Sequence, residues 1–266
     1  MGIEVRYYEA GTRINWLVGQ FETLRCNKRA RFSDKFIPRF DISLVFHFGT
    51  PPLMIHPVRN PLPLYFLTPI LSRSNCMQVN KSNDTFIVTC KPTVLSKILQ
   101  LNLLPGPQIY TPLPEALFSL LWNRLRQSES TEERIECFAA FLEELYPGTY
   151  HPDTIDYIYE RIITSAGSEP LSDLLKEYSL SERTLQRQFQ KRVGITPKKL
   201  MRIVRINRIW ERIKSRESID YQDIIFEGNY FDQTHFIKDF KDITGETPDV
   251  FFKRDLSYVK ALSGKP

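Results

Sequence analysis

The sequence predicts an α+β fold, with a β-rich first half followed by an all-helical second half of two repeated units joined by a long helix. Three observations lead there. Short apolar runs punctuated by proline and glycine fill residues 1 to about 111. Helical periodicity replaces them from Pro112 onward. Within the helical half, Phe189…Gly194-Ile195-Thr196-Pro197 recurs 51 residues later as Phe240…Gly245-Glu246-Thr247-Pro248. At 266 residues the chain is long enough for two domains, each with its own core.

The elements follow in order. Ile42 to Phe48, Leu64 to Leu67 and Thr85 to Cys90 are rich in apolar, β-branched and aromatic residues and have strand length. Gly49-Thr50-Pro51-Pro52 and Asn80-Lys81-Ser82-Asn83-Asp84 between them are turn chemistry. A short helix fits Pro92 to Leu99. Together these make a β-rich domain, either barrel or sandwich, over residues 1–111. Leu104-Pro105-Gly106-Pro107 and Pro112-Leu113-Pro114 then mark a boundary. Leu117, Leu120, Leu121 and Leu125 give a helix over 116–126, and Ile135, Phe138, Leu142 and Leu145 give another over 132–146. Ser130-Thr131-Glu132-Glu133 reads as a capping box at the start of the second, and Pro147-Gly148 ends it. This 112–150 pair is a spacer, a lid on the β domain, or a dimer surface. Residues 151–255 are expected to be all helix, over 154–165, 171–178, 182–193, 197–214, 220–228 and 232–243, with a tail at 256–266.

Composition bounds the class. Hydrophobic residues make up 42% and charged residues 25%, with mean hydropathy −0.30, which excludes a disordered or collagen-like chain. The longest apolar run, Leu62 to Leu71, holds Pro63 and Pro69 and is far short of the ~20 residues of a membrane helix. The first residues lack an apolar signal core, so a cytoplasmic protein is expected. Cys26, Cys76, Cys90 and Cys137 are widely spaced, as for reduced packing thiols, and neither a metal site nor a cofactor is expected. There is no P-loop, G-x-S-x-G elbow or H-E-x-x-H motif, and no catalytic residue is assigned.

Each repeated unit reads as a short helix, a tight turn and a second amphipathic helix. The turns centre on Ser179-Leu180 and Asn229-Tyr230-Phe231, and Ser181 and Asp232 are natural N-caps for the second helices. This is the helix-turn-helix layout, whose second helix enters the DNA major groove. Charge supports it. The net charge of +5 says little as a total. From Arg183 to Arg216, however, twelve Lys and Arg meet the single Glu211, a net +11 over 34 residues. A plain solvated face is the bland alternative. The helix expected from Pro197 to Lys214 is roughly 27 Å long. It can hold two units about one DNA turn, ~34 Å, apart. Ile206, Trp210 and Ile213 are its expected buried face.

Outward positions on the first recognition helix are Arg183, Gln186 and Arg187, with Leu185 and Phe189 inward. Arg can bridge guanine O6/N7 and Gln can pair with adenine N6/N7. The equivalents in the second are Gln233, Thr234, His235 and Lys238, with Phe236 and Phe240 inside. Asp232, Asp239 and Asp242 make that copy more acidic, so less affinity is expected from it. Lys198 and Lys199 either touch phosphate or stay solvated.

These residues resemble the AraC-type family of bacterial transcription regulators over roughly 154–254. The likeness rests on Leu180-Ser181-Glu182-Arg183-Thr184-Leu185-Gln186-Arg187-Gln188-Phe189, Gly194-Ile195-Thr196-Pro197 and Arg205, with Asp223-Ile224, Tyr230 to Phe236, Phe240-Lys241 and Gly245-Glu246-Thr247-Pro248 in the second copy. The resemblance implies two helix-turn-helix subdomains on one long helix and binding to double-stranded promoter DNA. It also admits a small-molecule effector, a homodimer and contact with RNA polymerase as further partners. Leu175 and Ile225 stand where the family has a small Ala, and Asn229 where it has Gly, a substitution Asn tolerates best at positive φ. Ile37-Pro38…Leu44-Val45-Phe46-His47-Phe48-Gly49 is similar to the front region of some members, which implies a cupin-like β domain for effector binding or dimerisation. Its metal pattern is missing, since His47 and His56 are isolated. Two alternatives stay open. One is the cysteine-dependent DNA alkyl-transfer function found fused to some of these regulators. The other is a front half that dimerises and binds no ligand.

Overall fold

The computed structural model describes residues 3–26, 37–54, 59–70, 77–79, 82–103, 110–213, 228, 230 and 232–253. The N-terminal region is β-rich and the rest is helical, as the sequence predicts. Eight strands are described: β1 (Ile3–Glu9), β2 (Val18–Cys26), β3 (Ile42–His47), β4 (Leu53–Met54), β5 (Asn60–Pro61), β6 (Tyr65–Thr68), β7 (Met77–Gln78) and β8 (Asn83–Cys90). They form an antiparallel sheet in the order β1-β2-β8-β3-β6 and a smaller one in the order β5-β4-β7. The strands expected at 42–48, 64–67 and 85–90 are present within two residues of their bounds. β1 and β2 carry no isolated apolar run: alternating Arg6, Glu22 and Arg25 hide their strand character.

Alternation assigns the two faces of the large sheet. Phe21, Phe46 and Phe86 point to one side, where the helices α2 (Glu115–Gln127) and α3 (Thr131–Leu145) cover them. Phe21 stacks on Phe86 at 5.6 Å and meets Phe138 of α3 edge-on at 5.9 Å. The α2–α3 hairpin thus serves as a lid on the sheet. Arg134 fastens it, forking onto Asp84 at 3.0 and 3.3 Å and lying 4.1 Å from the Phe48 ring. Ser130 caps α3 by accepting from the Glu133 amide, while the Glu133 carboxylate accepts from Glu129 instead of Ser130, so the capping box is displaced by one residue.

The opposite face is mixed. Val45 and Phe66 pack with Met54 and Leu62, and His47, Asn83, Thr85 and Glu22 lie buried on the same side. Three hydrogen bonds fix the His47 tautomer. The Asn83 amide donates to the Thr50 carbonyl at 3.1 Å, so its oxygen accepts from the Thr85 hydroxyl at 2.8 Å. Thr85 Oγ1 must then accept from His47 Nδ1–H at 2.8 Å. That leaves Nε2 as a buried acceptor with no partner among the described residues. The Trp122 indole donates to the His47 carbonyl at 2.9 Å.

After β8 the chain turns directly into α1 (Pro92–Ile98). The helical region follows as α4 (Thr154–Thr164), α5 (Leu171–Glu177), α6 (Glu182–Val193), α7 (Pro197–Ile213), α8 (Gln233–Thr244) and α9 (Pro248–Phe252). A full capping box between Asp153 and Asp156 starts α4. The helix expected over 220–228 and the turn residue Asn229 lie outside the described residues, as does the side chain of Ile213. Ile206 and Trp210 are buried, the latter against Phe251 and Phe252 of α9. No helix among the described residues is long and apolar enough to cross a membrane.

Burial holds the His47 imidazole neutral, with its pKa pushed down to about 4. The unfolded chain, with a histidine near pH 6.5, binds that proton more readily, so stability should rise with pH between those values. Lowering the pH from about 6.5 to 4 should cost the wild type up to about 3 kcal/mol through this residue. Denaturant titrations at pH 7 and 4.5 should show a smaller loss in His47→Gln. Equal losses in both proteins would remove the assignment.

Candidate nucleic-acid interface

The repeated Gly-x-Thr-Pro element has one physical meaning in both copies. Gly194 ends α6 with φ +90°, and Gly245 ends α8 with φ +82°, each in the left-handed region that glycine enters at least cost. Thr then leads into Pro at the first position of the next helix. The Lys199 amide donates to Thr196 Oγ1 at 3.1 Å, which holds the start of α7. Ser181 accepts from the Thr184 amide at 3.2 Å and Asp232 from the His235 amide at 2.7 Å, so both recognition-type helices begin on side-chain caps. In the first unit Ser179 takes a positive φ of 51°, and the Leu180 amide bonds back to the Leu175 carbonyl, closing the turn.

The helix faces divide as their spacing dictates. Leu185, Phe189 and Val193 of α6 are buried, as are Phe236, Phe240 and Ile243 of α8. Arg183, Gln186 and Arg187 on α6 are all exposed, and so are Gln233, Thr234, His235 and Lys238 on α8. Every candidate contact residue therefore lies on the open side of its helix.

The basic stripe is different from its sequence reading. Much of it is neutralised by acids distant in the chain. Lys199 pairs with Asp242 at 2.8 Å, and Arg202 with Asp239 and Asp242, each at 2.8 Å. Arg205 stands 3.7 Å from the second oxygen of Asp239, and His235 3.8 Å from it. Lys198 pairs with Glu182 at 2.7 Å, and Arg192 with Asp153 and Asp156 at 2.9 and 3.1 Å. Neither Lys198 nor Lys199 is thus an unpaired phosphate contact in this structure. The Lys199 hydrogen bond, aided by Arg202, holds the Asp242 carboxyl below its usual range. Arg183, Arg187, Lys191 and Arg208 form no ion pair with any described residue.

The acids of α8 also change meaning. Asp232 is a cap, and Asp239 is buried as an internal strut between α8 and the long helix α7. Sequence reasoning missed that strut. Its signal was a carboxylate inside an apolar stripe, Asp239 between Phe236 and Phe240, with Arg202 and Arg205 one helical turn apart on α7. Burial raises the Tyr230 phenol, with Asp239 adding to the effect, and Arg205 lies 5.2 Å from the Tyr230 ring.

The cysteines fit packing roles. Cys26 and Cys90 are buried in the sheet and Cys137 is partly buried in α3. Burial raises the Cys90 thiol pKa and keeps it protonated, the opposite of what a nucleophile needs. Cys76 lies outside the described residues.

Comparison with known proteins identifies the class. Residues 174–254 match the family model described as a helix-turn-helix domain. The C-terminal region is thus a helix-turn-helix domain. Among solved structures, ToxT from Vibrio cholerae O395 is 12% identical with a TM-score of 0.47, covering 99% of each chain. Unsaturated fatty acid-bound wild-type ToxT from V. cholerae strain SCE256 is 15% identical with a TM-score of 0.44, covering 94% of this chain and 95% of that one. The AraC-like transcriptional activator CuxR is 10% identical with a TM-score of 0.28, covering 80% and 87%. No match was found among curated proteins.

Breaking the Asp239 strut should loosen the second unit. Asp239→Ala removes the acid beside Arg205 and one of the two acids that hold Arg202, leaving Arg202 on Asp242, and should cost about 1–2 kcal/mol, below the ~3–5 typical of a fully buried pair. Hydrogen exchange of the α8 amides should accelerate while that of α6 does not. Unchanged α8 protection would show that the pairing carries no weight.

Proposed function

We propose that the chain is a sequence-specific transcription regulator that reads two successive major grooves of promoter DNA with α6 and α8, under control of its N-terminal region. The observation that carries this reading is the pair of capped, glycine-ended helices, each burying its apolar stripe and exposing a polar one. Arg183 and Arg187 are suited to guanine O6/N7, and Gln186 and Gln233 to adenine N6/N7. Thr234, His235 and Lys238 complete the second contact set. Phosphates meet the helix N-termini and the unpaired cations.

The first unit should supply more of the affinity. The reason is not repulsion by the α8 acids, two of which are tied to α7. It is that α6 exposes two arginines and Lys191, while α8 exposes only Lys238, Lys241 and His235 as basic groups. Ion pairing also trims the electrostatic contribution, because five of the twelve stripe cations already hold acids.

Control by a small ligand is the reading we favour for the N-terminal region. The sheet face opposite the α2–α3 lid presents Val45 and Phe66, with Met54 and Leu62 packed on them, and a buried acceptor at His47 Nε2, which suits a largely apolar molecule bearing one hydrogen-bond donor.

Arg187→Ala should weaken binding to a duplex selected from a random-sequence library by about 1–3 kcal/mol and relax preference at one base pair. Lys238→Ala should cost less. Equal or reversed losses in an electrophoretic or anisotropy titration would overturn the ranking. Affinity should also fall steeply as salt rises. A flat dependence would remove the DNA interface altogether.

A further inference from the structure

The end of α6 is built into the N-terminal region. Arg192 lies nine residues after Arg183, about 180° around the helix at ~100° per residue, so it points away from the open face. Its guanidinium reaches four groups on two elements. Nε donates to the Thr93 carbonyl at 2.9 Å and to Ser96 Oγ at 3.2 Å, both on α1. Nη2 also donates to the Thr93 carbonyl. Nη1 and Nη2 meet Asp153 and Asp156 at the start of α4. Lys97 of α1 joins the same pair of acids, 3.0 Å from Asp153. Burial pushes the Asp153 carboxyl up, but Arg192 and Lys97 more than offset this and leave it well below its usual range.

The backbone is engaged as well. A helix leaves its last carbonyls without intrahelical partners. Here the N-terminal region supplies them: the Ser96 hydroxyl donates to the Arg192 carbonyl at 2.9 Å, and the Leu103 amide to the Lys191 carbonyl at 3.0 Å. Contact is close enough that a Cβ on Gly194 would stand 2.6 Å from the Leu103 carbonyl oxygen. The glycine thus serves both the left-handed stop and the docking surface. α1 itself continues directly from β8, whose Asn83, Thr85 and Ile87 lie on the sheet face opposite the α2–α3 lid.

We propose that Arg192 is a positioning residue for DNA recognition, coupling α1 of the N-terminal region to the first recognition helix so that both answer to DNA as one unit. The proposal rests on the DNA-binding reading above and adds the element through which the N-terminal region acts. Arg192 touches no DNA. It holds α6 from behind while Arg183, Gln186 and Arg187 stay open. Linkage makes the coupling reciprocal: whatever strain or ordering DNA imposes on α6 is felt in α1.

The test uses the full chain and a duplex that the wild type selects from a random-sequence library. Hydrogen exchange of residues 92–98 is followed with and without that duplex. DNA should raise protection of α1 in the wild type, although α1 makes no DNA contact. In Arg192→Gln that DNA-induced change should vanish, and affinity should fall on the order of tenfold. Arg192→Lys, which keeps the charge but cannot fork, should recover only part of both. Ser96→Ala removes one hydroxyl without uncovering an acid, and should shrink the α1 response in a chain that remains folded. A wild-type α1 indifferent to DNA overturns the coupling while leaving DNA binding intact. So does an undiminished response in Ser96→Ala, or affinity that holds or rises in Arg192→Gln. If the wild type selects no duplex, the DNA-binding reading fails and the coupling with it.

Discussion

The left-handed stop that ends each recognition-type helix is the constraint on which the rest depends. At Gly194 and Gly245 the chain reverses within one residue and restarts as a helix three residues later, with threonine and proline at the new N-terminus. This fixes how each recognition helix meets the helix after it. It therefore decides which face is buried against α7 or α9 and which is open. Side-chain caps at Ser181 and Asp232 set the other end. A helix defined at both ends by backbone chemistry can expose an unusually polar surface without losing its register, because its order does not rely on that surface. The exposed Arg and Gln of α6 are thus free to serve a partner.

The repeat was legible in the sequence because each of its signals is local. Caps, glycine stops and the apolar stripe all lie within a dozen residues of one another, and the helix bounds over 154–213 came out within one residue. The N-terminal region was less legible. Its strands pair across long separations, as where Glu22 meets Ile87 and Val45 meets both Ile87 and Phe66. β1 and β2 alternate charged and apolar residues, so no run announces them. Very short strands such as β4, β5 and β7 have too few residues to carry a period at all.

Charge shows the same limit from the other side. The count of twelve cations against one acid between Arg183 and Arg216 is correct along the chain, but the chain is the wrong frame for electrostatics. The partners of Lys199, Arg202 and Arg205 lie 34 to 43 residues onward, on α8, and those of Arg192 lie 36 and 39 residues back. An arginine one turn from another on a long helix, facing an apolar stripe interrupted by a single aspartate, is a strut before it is a DNA contact. Burial decides between the two roles. Asp239, 4% exposed, needs cations beside it to offset the cost of burying a polar group, whereas Arg183 and Arg187 in water need no partner.

The division of the cations follows from this requirement. Those that face the protein interior hold the two units to α7 and to the N-terminal region, and their charge is spent within the fold. Arg183, Arg187, Lys191 and Arg208 face outward and pair with no acid among the described residues, so their field extends into solvent, where a polyanion can meet it. The same helix can therefore be rigid on one side and adhesive on the other. For α6 the two sides belong to different regions of the molecule: Arg192 is held by α1 and α4, while Arg183, four helical positions before Arg187, is held by nothing described. A displacement of α1 would act first on the Arg192 contacts at Thr93 and Ser96, which lie behind the open face. Control exerted from the N-terminal region would in that case act on the orientation of the reading helix and leave its contact chemistry unchanged.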